Sequence, residues 1–141
     1  IAKEYSAENQ WDIKYARGGL IDIDFIAQYM TLKHAPNLLG TRSGSAGDIF
    51  TMLKHAGCID EKTADELLAA KEFLEQIFNM LRLCSDNKFD SKTAPEGLKK
   101  LLVETVDEKD FEKLNERLIQ VEKTVYDYYK SLITPIYKEM I

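Results

Sequence analysis

The sequence predicts an all-α fold, an up-and-down bundle of four to five helices with a short extended segment ahead of it. Three observations carry this. Phe111, Leu114, Leu118, Val121, Val125, Tyr128 and Leu132 alternate spacings of three and four without a break. Such a heptad seam calls for a long helix packed nearly parallel to a neighbour. Leu67, Ala70, Leu74, Ile77, Leu81 and Cys84 keep the same rhythm. Seven glycines and three prolines in 141 residues, about 7% against a background near 12%, leave too few turn-formers for a many-turned sandwich.

The elements follow in chain order. Trp11, Ile13 and Tyr15 alternate with Asp12, Lys14 and Ala16, an extended pattern, and Gly18-Gly19 then turns the chain into a helix. Leu20 to His34 reads as helix, stopped by Pro36. Residues 37–44 read as loop. Ile49, Phe50, Leu53 and Ala56 give a short helix closed by Gly57. Asp60, or Thr63 with Glu66 as a capping box, starts the first seamed helix. Ser85 to Ala94 is polar and broken. Thr93, with Pro95 in the first turn and Glu96 three residues on, opens a short helix carrying Leu98, Leu101 and Leu102. Asp107-Glu108-Lys109-Asp110 is read as the solvated start of the last helix, its acids favourably placed on the dipole. Residues 1–19 thus form an extended lead-in and residues 20–141 a bundle domain.

Composition narrows the function classes. Nineteen Lys and Arg against 24 Asp and Glu give a formal charge of −5, which argues against a nucleic-acid-binding surface. No apolar run approaches the roughly 18 residues of a membrane span, and residues 1–10 lack the apolar stretch of a secretory leader. Two cysteines, Cys58 and Cys84, are too few to staple a fold, and a reduced, cytoplasmic setting is the natural reading. The chain begins at Ile1 and not at a methionine, so it is expected to be a piece of something longer.

The first thirty residues carry the chemistry. An extended segment, the cations Lys14 and Arg17, and Gly18-Gly19 ahead of a helix N-terminus suit approach by an anion, because exposed amides and the helix dipole favour negative charge. A plain turn in which glycine supplies a positive φ accounts for the same residues, and is common. Drawn at about 100° per residue, Ile21, Phe25, Tyr29 and Leu32 fall on one side of the helix and Ile23, Ile26, Ala27 and Met30 on another. Asp24, Gln28 and Thr31 form a polar stripe between them, and Asp22 and Lys33 share a separate edge. A helix apolar around most of its circumference is expected to be buried, and a buried carboxylate needs a partner. Asp24 with Gln28 is therefore either a satisfied structural pair or part of a polar pocket.

Asp12-Ile13-Lys14, followed after three residues by Gly18-Gly19-Leu20-Ile21-Asp22-Ile23-Asp24-Phe25-Ile26-Ala27-Gln28-Tyr29, closely resembles a signature of bacterial glutamine synthetase adenylyltransferase. That signature reads Asp-Leu-Lys, a spacer, Gly-Gly-x-x-Asp-Ile-Glu-Phe-x-x-Gln-Tyr, and opens the helical domain that follows a nucleotidyltransferase domain. The likeness continues more loosely through Leu53 to Gly57, Leu81-Arg82-Leu83 and Ala94 to Leu102. Its specificity is concentrated in residues 12–32. The resemblance implies one part of a bifunctional enzyme, one half of which attaches AMP from ATP to a tyrosine of glutamine synthetase while the other removes it by phosphorolysis. The Asp-Ile-Asp-Phe-Ile-Ala-Gln-Tyr wording resembles the carboxy-terminal, adenylylating half, although Arg17-Gly18-Gly19 resembles the amino-terminal one.

Lys14, Gly18, Gly19, Asp22, Phe25 and Gln28 match the motif as they stand. Asp24 departs from it, since the family usually has Glu there, and its reach is one methylene shorter. The resemblance implies that this motif sits against the catalytic domain and helps shape the nucleotide site, with Lys14, Arg17, Gly18, Gly19, Asp22, Asp24 and Gln28 as the candidate residues. It also implies ATP and Mg²⁺ as cofactors of the parent enzyme. The implied partners are glutamine synthetase, the upstream nucleotidyltransferase domain and, as a further candidate, the PII signalling protein.

The catalytic carboxylates themselves are not expected in this stretch. Nucleotidyl transfer needs clustered carboxylates holding Mg²⁺ between triphosphate and attacking oxygen, and in this superfamily they come as Gly-Ser followed by Asp-x-Asp on a strand. Here Gly44-Ser45 follows Asp22-x-Asp24, the wrong order. Residues two apart on a helix point about 200° from each other, so Asp22 and Asp24 cannot grip one metal. The catalytic domain is expected upstream of Ile1, with this fragment inactive alone. His34, His55, Cys58 and Cys84 fit no zinc module, and Cys84 lies on a core seam, so small buried residues are the better reading. Tyr126, Tyr128, Tyr129 and Tyr137 crowd the end of the last helix. Tyr128 belongs to the seam; the others suit a docking surface or, more commonly, an amphipathic rim. Two rival readings remain: a helical interaction domain without nucleotide chemistry, and the equivalent domain of the uridylyltransferase that modifies PII.

Overall fold

Caps and turns decide where this chain coils. A computed structural model describes residues 10–34, 46–84 and 89–140, and in it the chain forms α1 (Leu20–Lys33), α2 (Ala46–His55), α3 (Glu61–Cys84), α4 (Glu96–Thr105) and α5 (Phe111–Met140). Among the described residues there is no strand, and the fold is all-α as expected.

Asp60 starts α3, not Thr63. Its carbonyl accepts the Ala64 amide at 3.1 Å, and its carboxylate accepts both the hydroxyl and the amide of Thr63, which hold its pKa below the ordinary value. Gly57, at φ +76°, closes α2. Its amide reaches the Lys54 carbonyl (3.1 Å) and the Cys58 amide reaches that of Leu53 (2.9 Å), the paired bonds of a Schellman ending. Asp107 does the same for α4 without being glycine: at φ +56° its amide reaches Glu104, and the Glu108 amide reaches Val103 at 2.9 Å. The acidic run is therefore divided, with Asp107 ending α4 and Asp110 capping α5 by accepting the Lys113 amide at 2.8 Å. At the other end of α4, Pro95 is the N-cap, and Thr93 lies outside the helix with its amide on the Asp90 carbonyl.

Helix α3 is the hub, packing against α1, α2, α4 and α5, while α1 also packs on α2 and α5, and α4 on α5. Every pair of consecutive helices is in contact, the arrangement short connections favour. Phe50, Leu53, Leu74, Leu102 and Leu118 are fully buried where these faces meet. Each such side chain contributes about 1.5–3 kcal/mol of apolar transfer. Over residues 111–133 of α5 the fully buried positions are Leu114, Leu118, Glu122, Val125 and Ile133, with Val121 and Leu132 only half-buried. The stripe drifts off the strict heptad because a straight helix has 3.6 residues per turn, not 3.5. In α3 the buried face ends at Ile77; Cys84 is exposed, its Sγ 3.5 Å from Met80 Sδ, and so is not the core residue its spacing predicts.

The extended reading of the N-terminal segment is corrected. Over residues 10–19 the chain turns, with the Tyr15 and Ala16 amides both on the Asp12 carbonyl at 3.1 and 2.8 Å. Trp11, Ile13 and Ala16 are buried while Tyr15 is half-exposed, which is not the alternation of a strand. The Trp11 indole N–H donates to Asn115 Oδ1 at 2.8 Å. Its ring stacks on Phe111 and meets Phe89 edge-on. Through Trp11, Ile13 and Ala16 this segment contributes to the bundle core. The expected lead-in over residues 1–9, the loop of residues 37–44 and the side chain of Tyr137 lie outside the described residues. Among the described residues no helix is long and apolar enough to cross a membrane.

Candidate functional site

The Gly18-Gly19 turn is shaped by its neighbours. Gly18 has φ +77°, and a Cβ there would lie 1.8 Å from the Glu122 carbonyl oxygen of α5. At Gly19 a Cβ would lie 2.4 Å from the Ile13 carbonyl oxygen. Only glycine lets the turn lie this close to both backbones. Asp22, in the first turn of α1, reaches back to accept the Gly18 amide at 2.7 Å. The Gly19 amide donates to Ala16 (2.8 Å), Leu20 to Ile13 (3.0 Å) and Ile21 to Lys14 (3.0 Å). Four successive amides that an anion would need are thus engaged by the chain itself. The turn is built as a joint between the lead-in, α1 and α5, and any contribution to a phosphate there comes from side chains.

The two cations of the segment part company. Lys14 is exposed, with Nζ 5.6 Å from the Tyr15 ring centre. Arg17 is half-buried and lies over the Tyr126 ring of α5 at 5.2 Å, a cation–π contact. Lys130 lies over the same ring at 4.9 Å.

Helix α1 is not buried all round. Ile23, Ile26, Ala27 and Met30 enter the core, whereas Asp24, Phe25, Gln28 and Leu32 are exposed, Leu32 at 78%. The polar stripe is accordingly at the surface, and Thr31 at its end returns its hydroxyl to the Ala27 carbonyl at 2.8 Å. Phe25 leans on Tyr129 with ring centres 5.9 Å apart, and Tyr129 stacks with Tyr126 at 6.1 Å. An aromatic face therefore runs from α1 onto α5. Tyr128 takes no part in it: its hydroxyl donates to Glu66 Oε2 at 2.6 Å, and burial, then this bond, raise its pKa.

On the other flank, Asp24 is exposed and feels charges of α3. Partial burial is the largest influence on its carboxyl and raises its pKa; Lys71 opposes this, Glu75 adds to it and Lys14 opposes it. Lys71 pairs with Glu75, and both line an open groove of about 490 Å³ with Leu68, Glu72, Gln76 and Asn79. Lys71 and Glu75 are absent from any sequence motif; an i,i+4 opposite-charge pair off the seam is the one signal that marks them. Buried Glu122 was likewise hidden, one place off the heptad position held by Val121. Of the sequence-derived candidates, Gly18, Gly19 and Asp22 come together in the joint, Arg17 joins the aromatic face, and Lys14 acts on Asp24 across the turn. Among the described residues no group of three or more His, Cys, Asp or Glu is arranged to hold a metal.

Comparison with known proteins agrees with the motif. Residues 2–133 match the family model described as GlnD PII-uridylyltransferase. The chain is 38% identical over 136 residues to the bifunctional glutamine synthetase adenylyltransferase/adenylyl-removing enzyme of Rhodopseudomonas palustris (strain BisB5), covering 94% of this chain and 13% of that protein. The same enzyme of Bradyrhizobium diazoefficiens is 32% identical over 133 residues, 94% of this chain and 13% of its own. That of Bartonella quintana is 30% identical over all 141 residues, again 13% of its length. The chain thus spans about an eighth of the curated relatives it matches. No solved structure matches. Across nearly its whole length, then, this chain belongs to the GlnD PII-uridylyltransferase family, and the curated relatives it resembles are glutamine synthetase adenylyltransferase/adenylyl-removing enzymes.

Proposed function

We propose that this chain is the helical domain of a glutamine synthetase adenylyltransferase, from the half that transfers AMP from ATP to a tyrosine of glutamine synthetase in the cytoplasm. The observation that carries the reading is the outward face of α1, where Asp24 and Gln28 stand beside exposed Ile21, Phe25 and Leu32. A polar pair set in an exposed apolar face suits a surface that closes a site shared with another domain. The partner domain is the upstream nucleotidyltransferase domain of the parent chain.

The parent reaction uses ATP with Mg²⁺, and the described residues do not fit a metal site. Asp22 is engaged with the Gly18 amide, and Asp24 points about 200° away from it on the same helix. Metal-holding carboxylates belong to the other domain, and this fragment alone is inactive. Its contribution is through side chains: Lys14 supplies positive charge at the rim, and Asp24 and Gln28 offer an acceptor and an amide to the bound nucleotide or the incoming glutamine synthetase.

The test is Asp24→Ala and Gln28→Ala in the full-length enzyme, measuring AMP incorporation into glutamine synthetase. The expected result is at least a tenfold loss, about 1.4 kcal/mol in the barrier; wild-type rates with an intact fold would sink the site. A second reading, the equivalent domain of a PII uridylyltransferase, is favoured by the description of the matching family. Supplying the full-length enzyme with ATP and glutamine synthetase, or with UTP and PII, separates the two.

A further inference from the structure

A cavity of about 540 Å³ lies where no candidate residue of the signature motif reaches, between the lead-in, residues 89–92 ahead of α4, and the first turns of α5. Its volume falls within the roughly 300–1,000 Å³ of small-molecule sites. Trp11, Phe89 and Ile119 form its apolar lining. Phe89 meets the indole edge-on with ring centres 4.7 Å apart, and Phe111 stacks on the indole at 5.3 Å, so this wall is braced from the α5 side.

Two carboxamides share the lining. Asn115 accepts the Trp11 indole N–H on Oδ1 at 2.8 Å. That bond fixes which way the amide points and leaves its N–H donors for another partner. Gln10 is only 7% exposed, yet among the described residues its side-chain amide has no hydrogen-bond partner. A buried amide without a partner destabilises a fold, and a ligand bonded to it removes that cost. Charge stays at the rim. Asp90 and Lys92 are both exposed, of opposite sign and two residues apart, and the Lys92 amide donates to Asp90 Oδ1 at 2.9 Å. Among the described residues that line the cavity, Lys92 is the one cation.

We propose that this cavity binds an uncharged planar ring with an amide-like edge, the chemistry of a nucleobase carried as a nucleoside. Gln and Asn amides pair a donor with an acceptor, as a base edge does, and the aromatic lining suits the faces of the ring. A triphosphate does not suit it, since a single exposed lysine beside an aspartate cannot neutralise one. The cavity is therefore a site separate from that of the ATP consumed in the parent reaction, and the inference does not depend on the role proposed for Asp24 and Gln28.

Trp11 is the single tryptophan of the 141-residue chain, so its fluorescence reports on the cavity directly. The experiment titrates this chain and its Gln10→Leu variant with adenosine and with uridine, and follows urea unfolding of both proteins. The expected result is a saturable change in Trp11 emission with at least one nucleoside, at a dissociation constant below about 1 mM. Gln10→Leu is expected to weaken that binding at least tenfold while leaving the urea midpoint unchanged or raised, because the amide it removes holds nothing within the fold. Adenosine 5′-phosphate or uridine 5′-phosphate should bind more weakly than the parent nucleoside. No saturable change with either nucleoside overturns the inference, as does equal affinity in Gln10→Leu. A lowered midpoint in Gln10→Leu gives the amide a structural role and overturns it too. Tighter binding of the phosphorylated forms overturns the uncharged class of ligand.

Discussion

Helices α1 and α5 pack against each other, yet they place their apolar residues in opposite ways. Over residues 111–133 of α5 one stripe, including Leu114, Leu118, Val125 and Ile133, is buried, and the outward positions include Glu112, Lys113, Glu116, Lys123 and Asp127. In α1 the buried stripe of Ile23, Ile26, Ala27 and Met30 is backed by a second apolar set, Ile21, Phe25 and Leu32, that faces outward. A helix polar on its outer side is finished by its own bundle. A helix apolar on both sides is finished by its bundle on one side only. The contrast separates residues that hold this domain together from residues that it leaves exposed.

The sharpest way to break that contrast is at the point where the helices meet. Gly18→Ala forces a methyl group into the Glu122 carbonyl and a non-glycine residue into a positive φ. Strain and overpacking together are expected to cost roughly 3–5 kcal/mol, read as a lowered urea midpoint at unchanged slope. A pair of substitutions then compares the outward face of α1 with the core. Leu118→Ala, fully buried in α5, is expected to cost about 2–5 kcal/mol. Leu32→Ser on the outer side of α1 should stay within about 0.5 kcal/mol. Equal losses in denaturation would mean that the outer face of α1 is covered within this chain after all.

A smaller effect is expected at the start of the hub helix. The Thr63 hydroxyl and amide hold the Asp60 carboxyl below its ordinary value of 3.8. The stabilisation from a lowered carboxyl is fully present above the unfolded-state pKa and is lost as pH falls through the folded-state value. Asp60→Ala should therefore lower the melting temperature at pH 7, with the gap to the parent sequence closing as the solution is acidified below about pH 4. A gap that persists at low pH would show that the cap acts through something other than the ionised carboxylate.

Long periodic segments were legible because many residues vote on one answer. The seams of α3 and α5 and the glycine that closes α2 follow from spacing and cap chemistry, which also narrow the start of α3 to Asp60 or Thr63. Short segments were not. Trp11, Ile13 and Tyr15 show three beats of a strand, but an i→i+4 turn at Asp12 buries Ala16 and lifts Tyr15 outward. The seam through Cys84 misleads because periodicity says which side of a helix is apolar, not how far its neighbours extend. The apolar circumference of α1 misleads for a related reason: apolar residues on two sides show that both are to be covered, not that one domain covers them. The signature motif pointed to the right turn; the reason for Gly19 is local, in the Ile13 and Ala16 carbonyls, but the reason for Gly18 lies in α5, more than a hundred residues on, where no local pattern reaches.

The engagement of the amides at Gly18 through Ile21 has one more consequence. With its donors satisfied from within, and Gly18 resting on the backbone of Glu122 one turn before the Tyr126 ring under Arg17, the turn has no slack relative to α5. A displacement of α5 would therefore carry the signature turn with it, because the two backbones meet at Gly18 and Glu122.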